Sequence, residues 1–482
     1  MKDLFYISLI VSFITIGTQS IKSQIINIPA DYNTIQEGIN AAQNGDTVMV
    51  DAGTYYENIN FRGKSIVVAS RFILDGDYDH ILNTIIDGSQ SSEIDTGSCV
   101  IFGSGEDSLT VIQGFTLTGG TGTSFDFGGG NVFREGGSII MNNSSATIKN
   151  NLIYDNESVV IPGVNGGGGG GISSMFGNPR ILNNVIMMNR ATYAAGMVLN
   201  WSAGIIRNNI IYANEGGGDF GTGGLMVWVS DPWTAVIENN TIVGNISTTT
   251  SGGLSVEQTS AIIRNNIIWG NTQQSGSQVT GYQNSIFEYC DTEESYPGQG
   301  NINVNPDFLP QNFLLDTLSL CVDAGNPGAI FNDKEDPGNP GFALYPSLGA
   351  LRNDIGAYGG PGAMLLPDIS VIIGVKDDRQ DITPETMILY QNYPNPFNPT
   401  TKISYTITVD AFVSIKIFDV LGNEITSLVN EEKTAGSYEV EFNSNFGSVR
   451  NMASGIYFYR LQIYASGVAE DFTQIKKMIL LK

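Results

Sequence analysis

Histidine, cysteine and positive charge are scarce in this chain of 482 residues. There is one histidine, His80, and there are three cysteines, Cys99, Cys290 and Cys321. A lone histidine nearly excludes a His-bearing zinc centre or a Ser-His-Asp triad, because His80 would have to fill every role. Three cysteines are too few for a disulfide framework and show no metal-ligand spacing. One bridge is the most they allow, with Cys290–Cys321 the nearer pair in sequence. Lysine and arginine total 23 against 48 acidic residues, a formal net charge of −25 that repels nucleic acid and anionic lipid alike. With 58 glycines and only 15% charged residues, a long helical protein is excluded. Past the first residues no apolar run is long enough to cross a bilayer, so no transmembrane span is expected in the mature protein.

The N-terminus is the one strongly apolar stretch. Lys2 precedes a run from Leu4 to Ile16, and small polar residues follow through Ser20 and Ser23. That run is too short for a membrane span and reads as a cleavable signal peptide over residues 1–24.

Residues 146–273 repeat one motif. Its copies are Ala146–Asn156, Pro179–Asn189, Gly204–Asn214, Ala235–Asn245 and Ala261–Asn271, each with an Asn-Asn pair at its centre. The second Asn of each pair is Asn151, Asn184, Asn209, Asn240 and Asn266. Ile148, Ile181, Ile206, Ile237 and Ile263 form one column before the pair; Ile153, Ile186, Ile211, Ile242 and Ile268 form another after it. Short strands flanking a sharp corner suit this pattern, since Asn tolerates left-handed backbone and stacked Asn amides bond one another. A variable period with fixed corners implies coils with loops of different length, which is a parallel β-helix. Thr34-Ile-Gln-Glu37 is a capping box, and Ile35, Ile39 and Ala42 share one stripe, so a short helix is expected to cover the first coil.

Several residues are candidates for chemistry. Asp75, Asp77 and Asp79 alternate in a spacing usable for calcium, but they lack the downstream glutamate of a full EF-hand loop, and a solvated turn with His80 in it is the better account. The column three residues past each corner reads Tyr154, Met187, Tyr212, Val243 and Trp269; Trp201, Trp228 and Trp233 lie on intervening coils. Flat aromatics on a rigid ladder with coils roughly 4.8 Å apart can stack on sugar rings, or can pack beneath long loops. Trp201, Trp228, Trp233, Tyr212 and Trp269 are therefore the candidate glycan-binding residues. Lys149, Arg207 and Arg264 share an outward column, broken by Leu182 and Glu238, that reads as a basic stripe or as solvated surface. The run Gly166–Gly171 lacks a following Lys-Ser or Lys-Thr, so it is no phosphate loop and is expected to be a flexible bulge.

The opening from Ile35 through Gly45-Asp46 to Gly53-Thr-Tyr55-Tyr-Glu57 resembles the pectin-lyase-like, right-handed parallel β-helix superfamily. Asn305-Pro-Asp-Phe308, Cys321-Val-Asp-Ala-Gly325 and Asp354-Ile-Gly-Ala-Tyr-Gly-Gly360 resemble the closing segment of bacterial β-helix surface proteins. The resemblance implies a helix over residues 25–362 but transfers no catalytic residue, because the aspartate, glutamine and arginine motifs of pectinesterases and pectate lyases are missing.

A linker is expected at 363–386. Beyond it, Gln391-Asn-Tyr-Pro-Asn-Pro-Phe-Asn-Pro-Thr-Thr401 cannot be helical. Alternating strands then follow at Lys402–Val409, Val413–Val420, Ser437–Phe442, Gly455–Ile463 and Phe472–Leu481, with a turn at Leu421-Gly-Asn423. Tyr393–Pro399, Ile417–Gly422, Ala453–Tyr459 and the basic end Lys476–Lys482 resemble the type A sorting domain of the type IX secretion system. That resemblance implies an immunoglobulin-like β-sandwich over residues 387–482 that engages outer-membrane secretion machinery. It also implies a secreted or surface location in a Gram-negative bacterium.

The expected architecture is all-β: a right-handed parallel β-helix solenoid with an N-terminal capping helix, followed by a small antiparallel β-sandwich. Two functions fit it. One is a surface protein binding polysaccharide or another surface ligand without catalysis. The other is a polysaccharide lyase or glycoside hydrolase acting on an acidic glycan, for which a groove holding two or three carboxylates and a cation would be needed.

Overall fold

The computed structural model describes residues 23–367 and 388–480, apart from positions 94, 159, 219–220, 231, 310–311, 390–391, 393–396, 435, 445–451 and 465–471. The signal-peptide segment and most of the 363–386 linker lie outside the described residues. The chain forms two compact units, residues 1–368 and 369–482.

The first unit is a parallel β-helix with three principal sheets. Sheet A stacks ten strands from Ile25–Ile28 to Ile286–Glu288, sheet B nine from Gly53–Tyr55 to Asp291–Thr292, and sheet C eight from Ile59–Asn60 to Val279–Thr280. Neighbours within each are parallel and in strict register: Ile148 pairs Ile181, Ile181 pairs Ile206, and Ile206 pairs Ile237. Both isoleucine columns are fully buried in one continuous core. Each such side chain contributes about 1.5–3 kcal/mol by leaving water.

Three corners per coil place single residues in left-handed backbone. After sheet A these are Asn150, Asn183, Asn208, Asn239 and Asn265, with φ between 52° and 56°. After sheet B they are Asp155, Met188, Ala213, Gly244 and Gly270; after sheet C, Asn143, Phe176, Trp201, Val229 and Gln258. Asn suits the first corner because its short amide relieves the strain that a β-carbon meets there.

The expected ladder forms behind that corner. Asn151 Nδ2 donates to Asn184 Oδ1 at 3.1 Å, Asn184 to Asn209 at 3.0 Å, Asn209 to Asn240 at 2.9 Å and Asn240 to Asn266 at 3.0 Å. Below it, Cys290 Sγ takes the place of the next amide, 3.8 Å from Asn266 Nδ2. A second ladder, not anticipated, runs through Asn156, Asn189, Asn214, Asn245 and Asn271, each rung at 2.9 Å, and ends on Gln278 Oε1 at 3.0 Å. Its residues close every repeat copy, so the signal was present and unread.

Thr34 caps the helix Ile35–Ala41 as expected, through the reciprocal bonds with Glu37. Glu57 from the first coil also accepts the Ile35 and Gln36 amides at 2.9 Å, and Lys64 Nζ donates to the carbonyls of Ile39, Asn40 and Ala42.

Two expectations, the glycine bulge and the end of the coils, are corrected, and two open readings, the disulfide and the basic stripe, are narrowed. Gly166–Gly171 is not a flexible bulge. Gly167–Gly168 is a strand, all six glycines are buried, and a β-carbon would lie 2.3 Å from the Tyr193 ring at Gly168 and 2.3 Å from Arg190 O at Gly170. Glycine is needed there because adjacent backbones pass too closely for any side chain. No disulfide joins Cys290 to Cys321: all three cysteines are free and buried, and Cys321 Sγ instead lies 3.1 Å from Asp291 Oδ2.

The coils also end earlier than 362, since Asp291–Thr292 is the last strand of sheet B. From there to about residue 366 the chain turns back as a strap over the A–B corner. Asn326 N donates to Asn265 Oδ1 at 2.8 Å, Asn239 Nδ2 to Asp354 O at 3.0 Å, and Asn208 Nδ2 to Ala357 O at 2.9 Å. Tyr78, near the other end, donates to Leu365 O. The first Asn of four pairs, Asn150, Asn208, Asn239 and Asn265, thus holds the strap while the second of every pair builds the ladder. Finally, the basic column is no basic stripe over its lower coils: Glu238 lies 3.0 Å from Arg207 Nε and 2.7 Å from Arg264 Nε.

The second unit is antiparallel. Ile388–Leu389, Thr400–Ile407 and Gly436–Asn443 form one sheet; Glu424–Lys433, Ala411–Phe418, Gly455–Tyr464 and Phe472–Leu480 form the other. Its core includes Ile403, Tyr405, Val413, Ile415, Ile417, Tyr459, Leu461 and Ile463. Glu424–Lys433 was not expected as a strand, because as an edge it buries only Val429 and exposes its charges. Leu421-Gly-Asn423 turns as expected, with Asp419 Oδ1 accepting the Leu421 and Asn423 amides.

Candidate functional site

The five candidate aromatics part company in three dimensions. Tyr212 and Trp269 face the strap: the Tyr212 ring centroid is 4.9 Å from that of Phe313, and Trp269 packs with Leu315, Cys321 and Ile355. Met187 and Val243, in the same column, are fully covered. Tyr212 and Trp269 thus pack against the strap.

Trp201, at the corner after sheet C, stacks on Trp228, the last residue of the sheet C strand Leu225–Trp228. Phe176 to Trp201 is 5.5 Å between centroids at 13°, and Trp201 to Trp228 is 6.2 Å at 20°. Phe127 leans on Trp201 at 5.7 Å. Phe176 was missed as a member of this ridge. Because neighbouring coils supply its partners, Trp201 has a stacked ring on each side, Phe176 and Trp228.

Trp233 differs. It is 45% exposed at the turn leading into sheet A, its amide anchored on Ser230 O at 2.9 Å. Beside it opens a cleft of about 400 Å³, lined by Ser108, Asn178, Pro179, Arg180, Gly204, Ile205, Trp233, Thr234 and Val236. Its lining combines apolar Pro179, Ile205 and Val236, the hydroxyl, amide and guanidinium groups of Ser108, Thr234, Asn178 and Arg180, and the Trp233 ring. Such a surface presents a stacking plane together with planar hydrogen-bonding groups, which is the requirement of a polyhydroxylated ring. Arg180 and Asn178 were not anticipated, since they precede the repeated motif or open it in only one copy.

Sheet A continues the floor. Its first outward column runs Arg180, Ile205, Val236, Ile262 and Ile286 in register. The apolar members form a track from the cleft toward the last coil.

The acidic candidates are otherwise engaged. Asp75 Oδ1 accepts the Asp77 amide at 2.9 Å, Asp77 Oδ1 accepts the Asp79 amide at 3.0 Å, and Asp75 Oδ2 lies 3.2 Å from His80 Nε2. Gly76, with φ of 75°, closes a helical turn there. These are turn carboxylates, and among the described residues no group of three or more His, Cys, Asp or Glu is arranged to hold a metal ion. Glu135 is buried, accepting from Ser173 Oγ at 2.7 Å and from the Tyr193 hydroxyl. Burial pushes its carboxyl up to about 7. Asp333 and Asp354, in the strap, are likewise raised, by burial first.

Comparison with known proteins bears on the second unit. No curated protein matches the chain. Among solved structures, dimeric latent PorU from Porphyromonas gingivalis is similar over 20% of this chain and 9% of its own, at 18% identity and a TM-score of 0.18. Residues 391–479 match the family of secretion system C-terminal sorting domains. Among the described residues no helix is long and apolar enough to cross a membrane. The chain therefore carries, over residues 391–479, a C-terminal sorting domain of the type IX secretion system, which addresses it to secretion or to the cell surface.

Proposed function

We propose that this chain is a pectin-lyase-like surface protein of a Gram-negative bacterium that binds polysaccharide without cleaving it. Export would begin at the signal peptide of residues 1–24 and finish through the sorting domain. The observation that carries the reading is Trp233: of the five aromatic candidates it alone combines an exposed ring with a polar-rimmed cleft. None of the residues lining that cleft is Asp or Glu. Glycoside hydrolysis needs a positioned pair of carboxyl groups, and the lining offers none.

The alternative, a lyase or hydrolase, would draw on Glu135, whose raised carboxyl suits proton transfer. Its complete burial beneath Tyr193 favours a structural role.

The test is affinity electrophoresis of the full chain in gels containing neutral or acidic polysaccharides, with unsaturated and reducing ends measured on the same panel. Retardation is expected without product. Trp233→Ala should weaken it about tenfold, the loss of roughly 1–1.5 kcal/mol of stacking, while Trp201→Ala should leave it unchanged. Product release, or full binding by Trp233→Ala, would overturn the reading.

A further inference from the structure

An antiparallel hairpin stands on the otherwise parallel coils. Its strands Gly122–Asp126 and Val132–Glu135 pair with each other, with Thr96–Gly97 along the first and Gly167–Gly168 along the second. Its tip is exposed and packs on nothing: Gly128, Gly129 and Gly130 have φ between 69° and 109°, and a β-carbon on any of them would meet no atom within 4 Å. Nearer the base the hairpin rests on later coils through rings. Phe127 meets Phe125 at 4.8 Å and Phe133 at 5.6 Å, both edge to face; Phe127 also leans on Trp201 at 5.7 Å, and Phe133 meets Tyr193 at 6.2 Å. Glycines bracket the whole element, Gly122 with φ of 82° and Gly136 with φ of 60°, where a backbone rotation can be absorbed.

The hairpin ends on Glu135, which is fully buried. Ser173, from the sheet C strand Ile172–Met175, donates to its carboxyl at 2.7 Å, and Tyr193, from the following coil, donates its hydroxyl. Asn200 acts on the same phenol. Gly168 makes that approach possible, since a β-carbon there would lie 2.3 Å from the Tyr193 ring. Side chains of successive coils thus converge on one carboxyl of the hairpin.

Among the described residues no cation pairs with it. Arg134, its neighbour on the strand, turns its guanidinium to Thr121 O at 3.0 Å and Gly122 O at 2.5 Å, with Asp95 acting on it. Arg190, on a later coil, pairs with Glu215 at 3.6 Å, and Asp126 and Glu157 are exposed. Burial is the leading cause that raises the Glu135 carboxyl, and the groups that counter it are the two hydroxyls. A neutral carboxyl suits this pocket, whereas an anion would lie in it without a counter-charge.

We infer that Glu135 is a pH-sensitive latch: the hairpin is docked while this carboxyl is neutral, and lifts from Tyr193 and Trp201 when it ionises, uncovering both rings. Opening hydrates the carboxyl and restores its ordinary acidity. Docking is therefore complete below about pH 4 and is lost as pH rises through about 7.

The test is hydrogen exchange of the full chain read by mass spectrometry, each amide's rate divided by its intrinsic rate at the same pH. Protection over residues 122–135 should fall about tenfold or more between about pH 5 and about pH 8, while that of Ile205–Arg207 in sheet A holds. Glu135→Gln keeps the shape and cannot ionise, so its protection should stay constant over the range. Asp126→Asn, at the exposed end of the first strand, should fall as the parent does. Ser173→Ala leaves the carboxyl in place but removes a donor to its ionised form, so it should enlarge the fall and carry it to higher pH; it decides the matter if Glu135→Gln does not fold. Constant protection in the parent, or a fall that Glu135→Gln retains, overturns the latch. A fall shared equally by sheet A also overturns it, because the carboxyl then acts on the whole unit and not on the hairpin.

Discussion

Replacing Asn209 by alanine removes one rung from the middle of the inner ladder. Its Oδ1 accepts from the Asn184 backbone amide at 2.9 Å and from Asn184 Nδ2 at 3.0 Å. Its Nδ2 donates to Asn240 Oδ1 at 2.9 Å, Ile181 O at 2.9 Å and Arg207 O at 3.0 Å. All of this is buried. The Asn184 side chain keeps other partners, but its backbone N–H is left with none in reach, which costs about 1–3 kcal/mol. The Asn209 amide bonds to the two carbonyls and to the next rung add about 1 kcal/mol each, so the total loss is about 4–6 kcal/mol. A solenoid transmits such damage chiefly to adjacent coils. Guanidinium unfolding of the full chain should therefore show a lowered midpoint for the helix, and hydrogen exchange should quicken at Asn184 and its neighbours first. Asn165→Ala, which removes an exposed amide, should stay within about 0.5 kcal/mol of the parent. If Asn209→Ala behaves like Asn165→Ala, the ladder is a consequence of the fold and not a support for it.

Gly168→Ala and Gly170→Ala should each lower the melting temperature markedly, because the added carbon meets the Tyr193 ring or the Arg190 carbonyl at 2.3 Å. Gly166→Ala, whose nearest neighbour is Phe133 at 3.4 Å, should be tolerated, and equal effects at all three positions would contradict the packed reading. Stability should also depend on pH with a definite sign. Burial raises Glu135 to about 7 and Asp291 to about 6, above their unfolded values. Their contribution is complete below about pH 4 and is lost as pH rises through 6 to 7, on the order of 3 kcal/mol for Glu135. Melting curves between pH 4 and 8, flattened in part by Glu135→Gln, check this; a slope of the opposite sign would refute it.

Much of the molecule was legible as pattern. The isoleucine columns, the Asn corner, the capping box and the alternation of most sandwich strands each repeat or pair locally, so a linear reading recovers the β-helix and the sandwich. Pattern also overreached. A glycine run looks the same whether it is loose or compressed, and only the neighbouring coils, Tyr193 and Arg190 show that it is compressed. The edge strand Glu424–Lys433 escaped notice because an edge carries little alternation.

By itself the sequence determined the period, the inward columns and the export address, because these rest on residue type at fixed spacing. The tertiary structure alone decided which aromatic keeps an exposed ring beside a cleft. Trp201, Trp228 and Trp233 are indistinguishable as letters. Stacking of successive coils pairs the first two with each other, and the returning strap covers Tyr212 and Trp269. Ring exposure depends on residues tens or hundreds of positions away, and so does the pairing of Arg207 and Arg264 with Glu238. Those distances are set by the closure of the coils, which no local spacing encodes.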